Sequence, residues 1–308
     1  MDKLNFLISL ITEANDYQLE QAASAQAAAR ELGVEVQIIY AHNDAVQQTQ
    51  QILSFVQEPA RRPHAILVEP VGTGMPQVAR AAVAAGVAWG LMNSDGSYMP
   101  ELRQHALVPV FSIASDNEKI GEIQGQQIGS ILGNEGCVLH LEGPSMGEVS
   151  RMRTKGMLAT KPPRVAVKAV RGDWTQASGH RAIESWLSLS TSRNLNVGLI
   201  ACQNDDMALG AHRAFEELAD LQARDNWMRL PIIGCDGVTK AGRAWVGQGW
   251  LTATVVTPPL TGTAMQLLAN SLRAGSQPPA HTVAAPVSFP ELKDLSKPRA
   301  SAAPAPGK

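Results

Sequence analysis

Val197-Gly198-Leu199-Ile200-Ala201-Cys202-Gln203-Asn204-Asp205-Asp206-Met207-Ala208-Leu209-Gly210 holds a whole structural unit in fourteen residues. The branched apolar run reads as a buried strand, the polar trio at Gln203, Asn204 and Asp205 ends it, and a small-residue helical pattern starts at once. Strand, polar tip and helix in that order are half of a βαβ repeat. In open α/β sheets, ligands gather beyond the carboxyl ends of the strands, where helix N-termini offer unpaired N–H groups. Asn204 can donate and accept together, whereas an ionised Asp205 only accepts. That mixture suits a polyhydroxylated ligand.

Moving outward, the same unit recurs along the chain. Asn5–Ile11 is a predicted strand before a helix from Tyr17 to Leu32, with Gly33 as its stop. Val34–Tyr40, a helix over Ala45–Val56, Ala65–Val68, a helix over Pro76–Ala85, and Val87–Met92 complete four βα units. The rhythm then restarts. Val110–Ile113 leads through Ser115-Asp116-Asn117 into a helix reaching Leu132. Cys137–Leu141, Val165–Val170, Val197–Cys202 and Ile232–Cys235 are further strands, separated by helices at Gly147–Thr160, Gln176–Leu189 and Asp206–Leu221. Strand Thr252–Val256, helix Leu260–Arg273 and one apolar stretch over Val283–Phe289 close the pattern. An α/β protein with two parallel, doubly wound sheets of similar make-up is implied. The segment from Lys297, rich in proline and alanine, has nothing to bury and is expected to be disordered.

At 308 residues, two domains or one large α/β unit are the natural outcomes. Lys and Arg total 26 against 28 Asp and Glu, a formal charge of -2 with no basic stripe, so nucleic acid is a poor partner. Cys137, Cys202 and Cys235 are far apart, each in a strand-like run, and read as buried free thiols of a reducing compartment. A core strand that begins almost at Met1 leaves no room for a signal peptide. A cytoplasmic location is therefore expected for the chain as written, and a periplasmic one if its start lies further upstream. No run reaches the ~18 apolar residues of a membrane span.

Enzyme signatures fail one by one. Gly72-Thr73-Gly74 lacks the spacing and the Lys-Ser/Thr of a phosphate loop, and no G-x-G-x-x-G opens a helix, so no nucleotide cofactor is expected. The histidines show no metal spacing; His140 and His212 read as packed or surface residues. Gly121, Gly125 and Gly129 recur every four residues and suit close helix packing better than ligand contact. Carboxylates at strand tips remain: Glu69, Glu142, Asp205, Asp206 and Asp236. A pair of them could work on a glycosidic bond only at a separation of about 5 to 9.5 Å, which sequence does not reveal. The same tips carry Asn15, Asn93, Asn204, Tyr17 and Trp174. Amides bond sugar hydroxyls and flat aromatic faces cover apolar C–H patches, so binding fits better than chemistry. Trp174, set among the turn residues of Gly172-Asp173-Trp174-Thr175, is read as a site aromatic rather than a core one.

Ile113-Ala114-Ser115-Asp116-Asn117, the opening stretch through Asn204-Asp205-Asp206, and Ile232-Ile233-Gly234-Cys235-Asp236-Gly237 followed by Gly249-Trp250-Leu251-Thr252 together resemble one family. It is that of the type I periplasmic sugar-binding proteins of the ribose-binding kind, related to the effector domains of lactose-repressor-like regulators. The likeness runs from Leu4 to Phe289. It implies two Rossmann-like lobes, 1–115 with 258–283 and 116–257 with 284–293, joined by a three-stranded hinge near Ser112–Asp116, Val256–Pro258 and Val283–Pro286, with a tail over 294–308. It implies a sugar held in the interlobe cleft by hinge closure. By motif, Ser9, Asn15 and Tyr17 come from the first-strand loop, Arg153 as a rigid multi-donor fork, Trp174 as a second aromatic, Asn204 as a hydroxyl-binding amide and Asp236 as an acceptor. Other positions depart: Asn93-Ser94 where ribose-type members carry Asp-Arg, Glu69 for an amide, Gln18 for an aromatic, Cys235 for another aromatic, and Thr257 for a glutamine. These departures argue against ribose and for another monosaccharide or polyol.

Three functions follow for comparison. The first is a non-enzymatic receptor serving an ABC permease or feeding a sensor kinase. The second is the effector domain of a transcription-regulator system, for which an N-terminal helix-turn-helix has no room, so that direct DNA binding is not expected. The third is a sugar-processing enzyme using the tip carboxylates, and it ranks last.

Overall fold

The computed structural model describes residues 3–72, 75–94, 96–145, 147–189 and 195–295. The chain forms two compact units: Met1–Asn117 with Met146–Arg151 and Pro258–Ala285, and Glu118–Ser145 with Met152–Thr257 and Pro286–Lys308. The chain therefore passes between units at Asn117, at Thr257 and at Ala285, besides the short excursion that ends at Arg151.

In the first unit, strands β1 (Asn5–Leu10), β2 (Glu35–Tyr40), β3 (Ala65–Val68), β4 (Ala88–Met92) and β5 (Val110–Ser115) are joined by β11 (His281–Ala284). The six pair in parallel in the order β11-β5-β4-β3-β1-β2. Helices α1 (Asp16–Leu32) and α11 (Thr261–Ala274) cover one face, with Ala25, Ala28, Met265 and Leu268 packed on Phe6, Ile8 and Phe111. Helices α2 (Ala45–Gln57), α3 (Pro76–Ala84) and α4 (Met99–His105) cover the other, where Ile52, Phe55, Val78 and Met99 meet Leu7, Ile66 and Trp89. β3 and β4 are buried along their whole length, as parallel strands sandwiched by helices must be. Gly33 ends α1 at φ 64°, its N–H on Ala29 O, as the sequence requires of a glycine stop.

The second unit is built on a four-stranded parallel sheet in the order β7-β6-β8-β9, from β6 (Glu135–Glu142), β7 (Arg164–Arg171), β8 (Leu199–Cys202) and β9 (Ile232–Ile233). β10 (Thr254–Val256) pairs antiparallel with β12 (Val287–Phe289) and touches the β9 end through single bridges at Ile233–Ala253 and Asp236–Val256. The second sheet is thus smaller than the first, and an antiparallel pair adjoins it only through those bridges. Helix α5 (Asn117–Leu132) crosses α6 (Glu148–Thr160) at backbone contact: a Cβ on Gly121 would strike Arg153 O, and one on Gly156 would strike Glu118 O. The glycine stripe is a helix-packing device.

Several boundaries differ from the sequence reading. The single helix over Asp206–Leu221 is two, α8 (Asp205–Glu216) and α9 (Leu221–Met228), because Asp220 accepts from Gln222 N and Ala223 N and starts a new helix. α4 and α10 (Gly242–Gln248) were not foreseen; at seven residues each they are too short for a periodic signal. The stretch Val283–Phe289 divides at Pro286 into β11 and β12, which belong to different sheets. The tail begins later than 294: α12 (Leu292–Leu295) is a helical turn whose Leu295 packs against Val138 and Leu199. Residues 296–308, and Thr73 and Gly74 of the stretch weighed as a phosphate loop, lie outside the described residues. The three cysteines are free and buried.

Candidate functional site

Each unit concentrates buried polar groups at its strand tips. In the first, Glu69 follows β3 and Asn93 follows β4, while Asn15 and Gln18 sit at the start of α1. Asn15 is the N-cap, its side chain accepting from Gln18 N at 2.8 Å, which satisfies one donor of the helix start. Gln18 Nε2 donates to Glu69 Oε2 at 3.0 Å, and Asn93 Nδ2 donates to Glu69 Oε1 at 2.9 Å. The far ends of both amides are fixed as well: Gln18 Oε1 accepts from Ile11 N at 3.0 Å and Asn93 Oδ1 from Ser115 N at 3.4 Å. The carboxylate is therefore held by two amides that cannot flip without losing a backbone bond. Ser94 donates to Glu148 Oε2 at 2.7 Å. Tyr17, 6% exposed, donates to Pro258 O at 3.4 Å.

In the second unit, Arg153 projects from α6 and is 5% exposed. Its Nη1 donates to Gln203 O and lies 3.8 Å from Asp236 Oδ1, and its guanidinium stands 5.7 Å from the centre of the Trp174 ring. An arginine packed this way holds its planar donor fork in one orientation. Thr257 N donates to Asp236 O at 3.0 Å and its hydroxyl approaches the same oxygen at 3.5 Å. Asp236 (φ 109°) and Trp174 (φ 72°), like Asn93 (φ 52°) in the first unit, hold positive φ without being glycine. Asparagine tolerates that region; for the other two the backbone carries strain of the kind concentrated at functional positions.

Asp205 is used internally. Its oxygens accept from Thr254 Oγ1 and Gly237 N, both at 2.7 Å, and tie the start of α8 to β10 and to the Asp236-Gly237 turn. Burial pushes its pKa up to about 8, against the opposing pull of those two donors.

Three expectations need correction. Ser9 points into the core on the α2 side, where its hydroxyl accepts from Gln48 Nε2 at 3.1 Å, so it stands behind the Glu69 cluster and not in it. Alternation along β1 puts neighbours on opposite faces, and position 9 falls on the α2 face. Asn204, expected as a hydroxyl-binding amide, is the N-cap of α8: Oδ1 accepts from Met207 N at 3.0 Å and Nδ2 donates to Trp174 O at 2.8 Å. Its amide is largely committed to the fold. Trp174 is half-buried against the core of its unit, its ring lying over Gly143 where a Cβ would collide, so it is packed as well as standing beside Arg153.

Sequence reasoning missed the glutamines that brace these tips. Gln203 Oε1 accepts from Gly143 N and its Nε2 donates to Thr154, while its carbonyl anchors Arg153. Gln48 donates to Ser9 and to Glu69 O, and Gln124 donates to Cys202 O and Gly234 O. Gln203 was visible as the polar residue that ends a strand; Gln48 and Gln124 carry no such mark among ordinary helix positions.

Two α/β units with parallel sheets, through which the chain passes repeatedly and whose strand tips carry buried amides, carboxylates and an arginine, define a type I solute-binding fold. Residues 6–276 match the model of the periplasmic binding protein domain, and the chain belongs to that family. It is similar to the putative rhizopine-binding protein of Rhizobium meliloti, 28% identical over 229 residues, 72% of this chain and 69% of that one. It is also similar to the galactofuranose-binding protein YtfQ of Escherichia coli, 24% identical over 88% of this chain and 82% of the relative. In fold it matches the Caulobacter myo-inositol binding protein, solved with myo-inositol bound, at a TM-score of 0.77 and 19% identity over 95% of each chain.

Proposed function

We propose that this protein binds a monosaccharide or related polyol without transforming it, using the Glu69 cluster of the first unit and the Arg153–Asp236 pair of the second. The observation that carries the reading is the pre-orientation of the buried polar groups. Glu69 is fixed by Gln18 and Asn93, and Arg153 by Gln203 O, through bonds within the protein. Groups held in this way bind hydroxyls without an ordering cost. The relatives named for galactofuranose and rhizopine support the class. An ABC permease or a sensor kinase is the partner class that this reading implies.

A thermal-shift screen of sugars and cyclitols tests it. A ligand at a hundred times its dissociation constant stabilises the native state by roughly 2.7 kcal/mol. Arg153→Ala and Glu69→Ala are expected to abolish the shift of the same ligand. Ribose as the tightest ligand, or turnover of any bound sugar, would overturn the reading.

A further inference from the structure

We infer that the groove between the edge strand β7 and helix α7 (Gln176–Ser188) receives an extended, acidic segment of a partner protein, which joins the second unit's sheet as a further strand.

β7 pairs with β6 alone and stands last in the order of its sheet, so one side of its backbone meets no strand. Which groups face that side is fixed at both ends of β7. Gly172 N donates to Glu142 O at 2.8 Å, on the β6 side, while Val165 O accepts from Lys161 Nζ at 2.7 Å, on the other. Successive residues of a parallel strand bond to opposite sides. Val167, Ala169 and Arg171 therefore turn their N–H and C=O groups outward, and no hydrogen bond from a described residue reaches those groups.

Beside this edge lies a groove of about 790 Å³, lined by Ala169 and Val170 of the strand and by Ala182, Trp186 and Leu189 along α7, with Arg181 among them. Leu189 is 51% exposed. An extended peptide that joins a sheet edge gains affinity from main-chain bonds and specificity from alternate side chains that enter such a groove.

The charge of the occupant follows from β7 itself. Arg164-Val165-Ala166-Val167-Lys168-Ala169-Val170-Arg171 carries three cations and no acid. Arg171 lies 3.3 Å from Glu142 and Arg181 3.8 Å from Asp173, but these arginine side chains are 61% and 64% exposed, so both pairs are weak and leave positive charge open to a partner. Opposite charges across a strand pair stabilise it and like charges oppose it. A second copy laid on the same edge would bring cations together, the usual guard of an edge against self-pairing. The chain's own end is no better suited, since from Lys297 onward it holds Lys297, Arg299 and Lys308 and no acid. An acidic strand from a different protein fits both edge and groove.

The test uses the full chain and a labelled, end-blocked peptide, Glu-Val-Thr-Glu-Val-Thr-Thr-Glu, whose acids fall opposite Arg171, Lys168 and Arg164 in antiparallel register. In the control peptide lysine replaces each glutamate. Fluorescence anisotropy is expected to show the acidic peptide binding tighter by about ten-fold or more, and hydrogen exchange should slow over Arg164–Arg171. Ala169→Pro removes one outward N–H, leaves the β6 ladder whole and should abolish binding. Lys168→Glu should weaken the acidic peptide about five-fold, and a peptide with lysine at the facing position should recover the loss. Should Ala169→Pro not fold, Lys168→Glu and its matched peptide decide. No binding, equal binding of both peptides, or protection elsewhere than β7 overturns the proposal. A dimer in sedimentation with β7 already protected overturns it too, because a second copy is then the occupant. Neither peptide nor variant touches the residues assigned to sugar, so failure here leaves that reading intact.

Discussion

The two units hold their polar tips by different means. In the first, side chains bind side chains: Gln18 and Asn93 both donate to Glu69, and Ser94 donates to Glu148. In the second, backbone partners prevail: Arg153 to Gln203 O, Asn204 to Trp174 O and Met207 N, Asp205 to Gly237 N, beside the side-chain bonds of Thr254 to Asp205 and Gln203 to Thr154. A tip made of side chains can be altered by one substitution while the strands stay in place. A tip tied to main chain cannot, because the residue that meets the ligand also holds the loop. Ligand preference should therefore be adjustable in the first unit, and fold stability should be exposed in the second.

Four substitutions can break or sharpen that contrast. The largest effect is expected for Asp205→Ala, which orphans the Gly237 N–H and the Thr254 hydroxyl at about 1–3 kcal/mol each in urea unfolding. Gly156→Ala drives a Cβ into Glu118 O at the α5–α6 crossing and should lose about 1–3 kcal/mol by the same measurement. Asn204→Ala removes the α8 cap and should lower stability by about 1 kcal/mol. Ser94→Ala, in the first unit, removes a single side-chain donor from Glu148 and should lower stability by no more than about 1 kcal/mol. A larger loss there than at Asn204 would erase the contrast.

Asp205 adds a pH dependence peculiar to the second unit. Burial raises its pKa in the folded state to about 8, whereas the unfolded carboxyl titrates near ~3.9. Folded protein then holds a proton that unfolded protein has lost. Its contribution is full below the unfolded value and disappears as pH rises through about 8. Urea midpoints measured from pH 5 to 9 should fall with rising pH, and Asp205→Asn should flatten the slope.

How much of this was legible depends on the kind of signal. The long elements were, because β3, β4, α1 and α5 write their burial as apolar runs or helical spacing. The α8 N-terminus was readable only as a set of candidates: Asn204, Asp205 and Asp206 all favour that position, and only the register of the backbone picks Asn204. Ser9 shows the same limit in a strand, where a choice of face decides its role. The positive φ of Trp174 leaves no trace in composition, since tryptophan does not favour it. Glu69, Gln18 and Asn93 were each legible as departures from the family pattern, but not the bonds that join them.

The Gln124 amide joins two carbonyls, Cys202 O at 2.7 Å and Gly234 O at 3.1 Å, at the ends of neighbouring strands that are themselves paired over only two residues. Beyond that short ladder the interval between the Asn204 and Asp236 tips is set by Asp205, whose N–H donates to Cys235 O, together with this helix side chain, a ruler one glutamine long. Asparagine has the same chemistry and is a methylene too short, so Gln124→Asn would misplace both tips without altering a single residue at either of them.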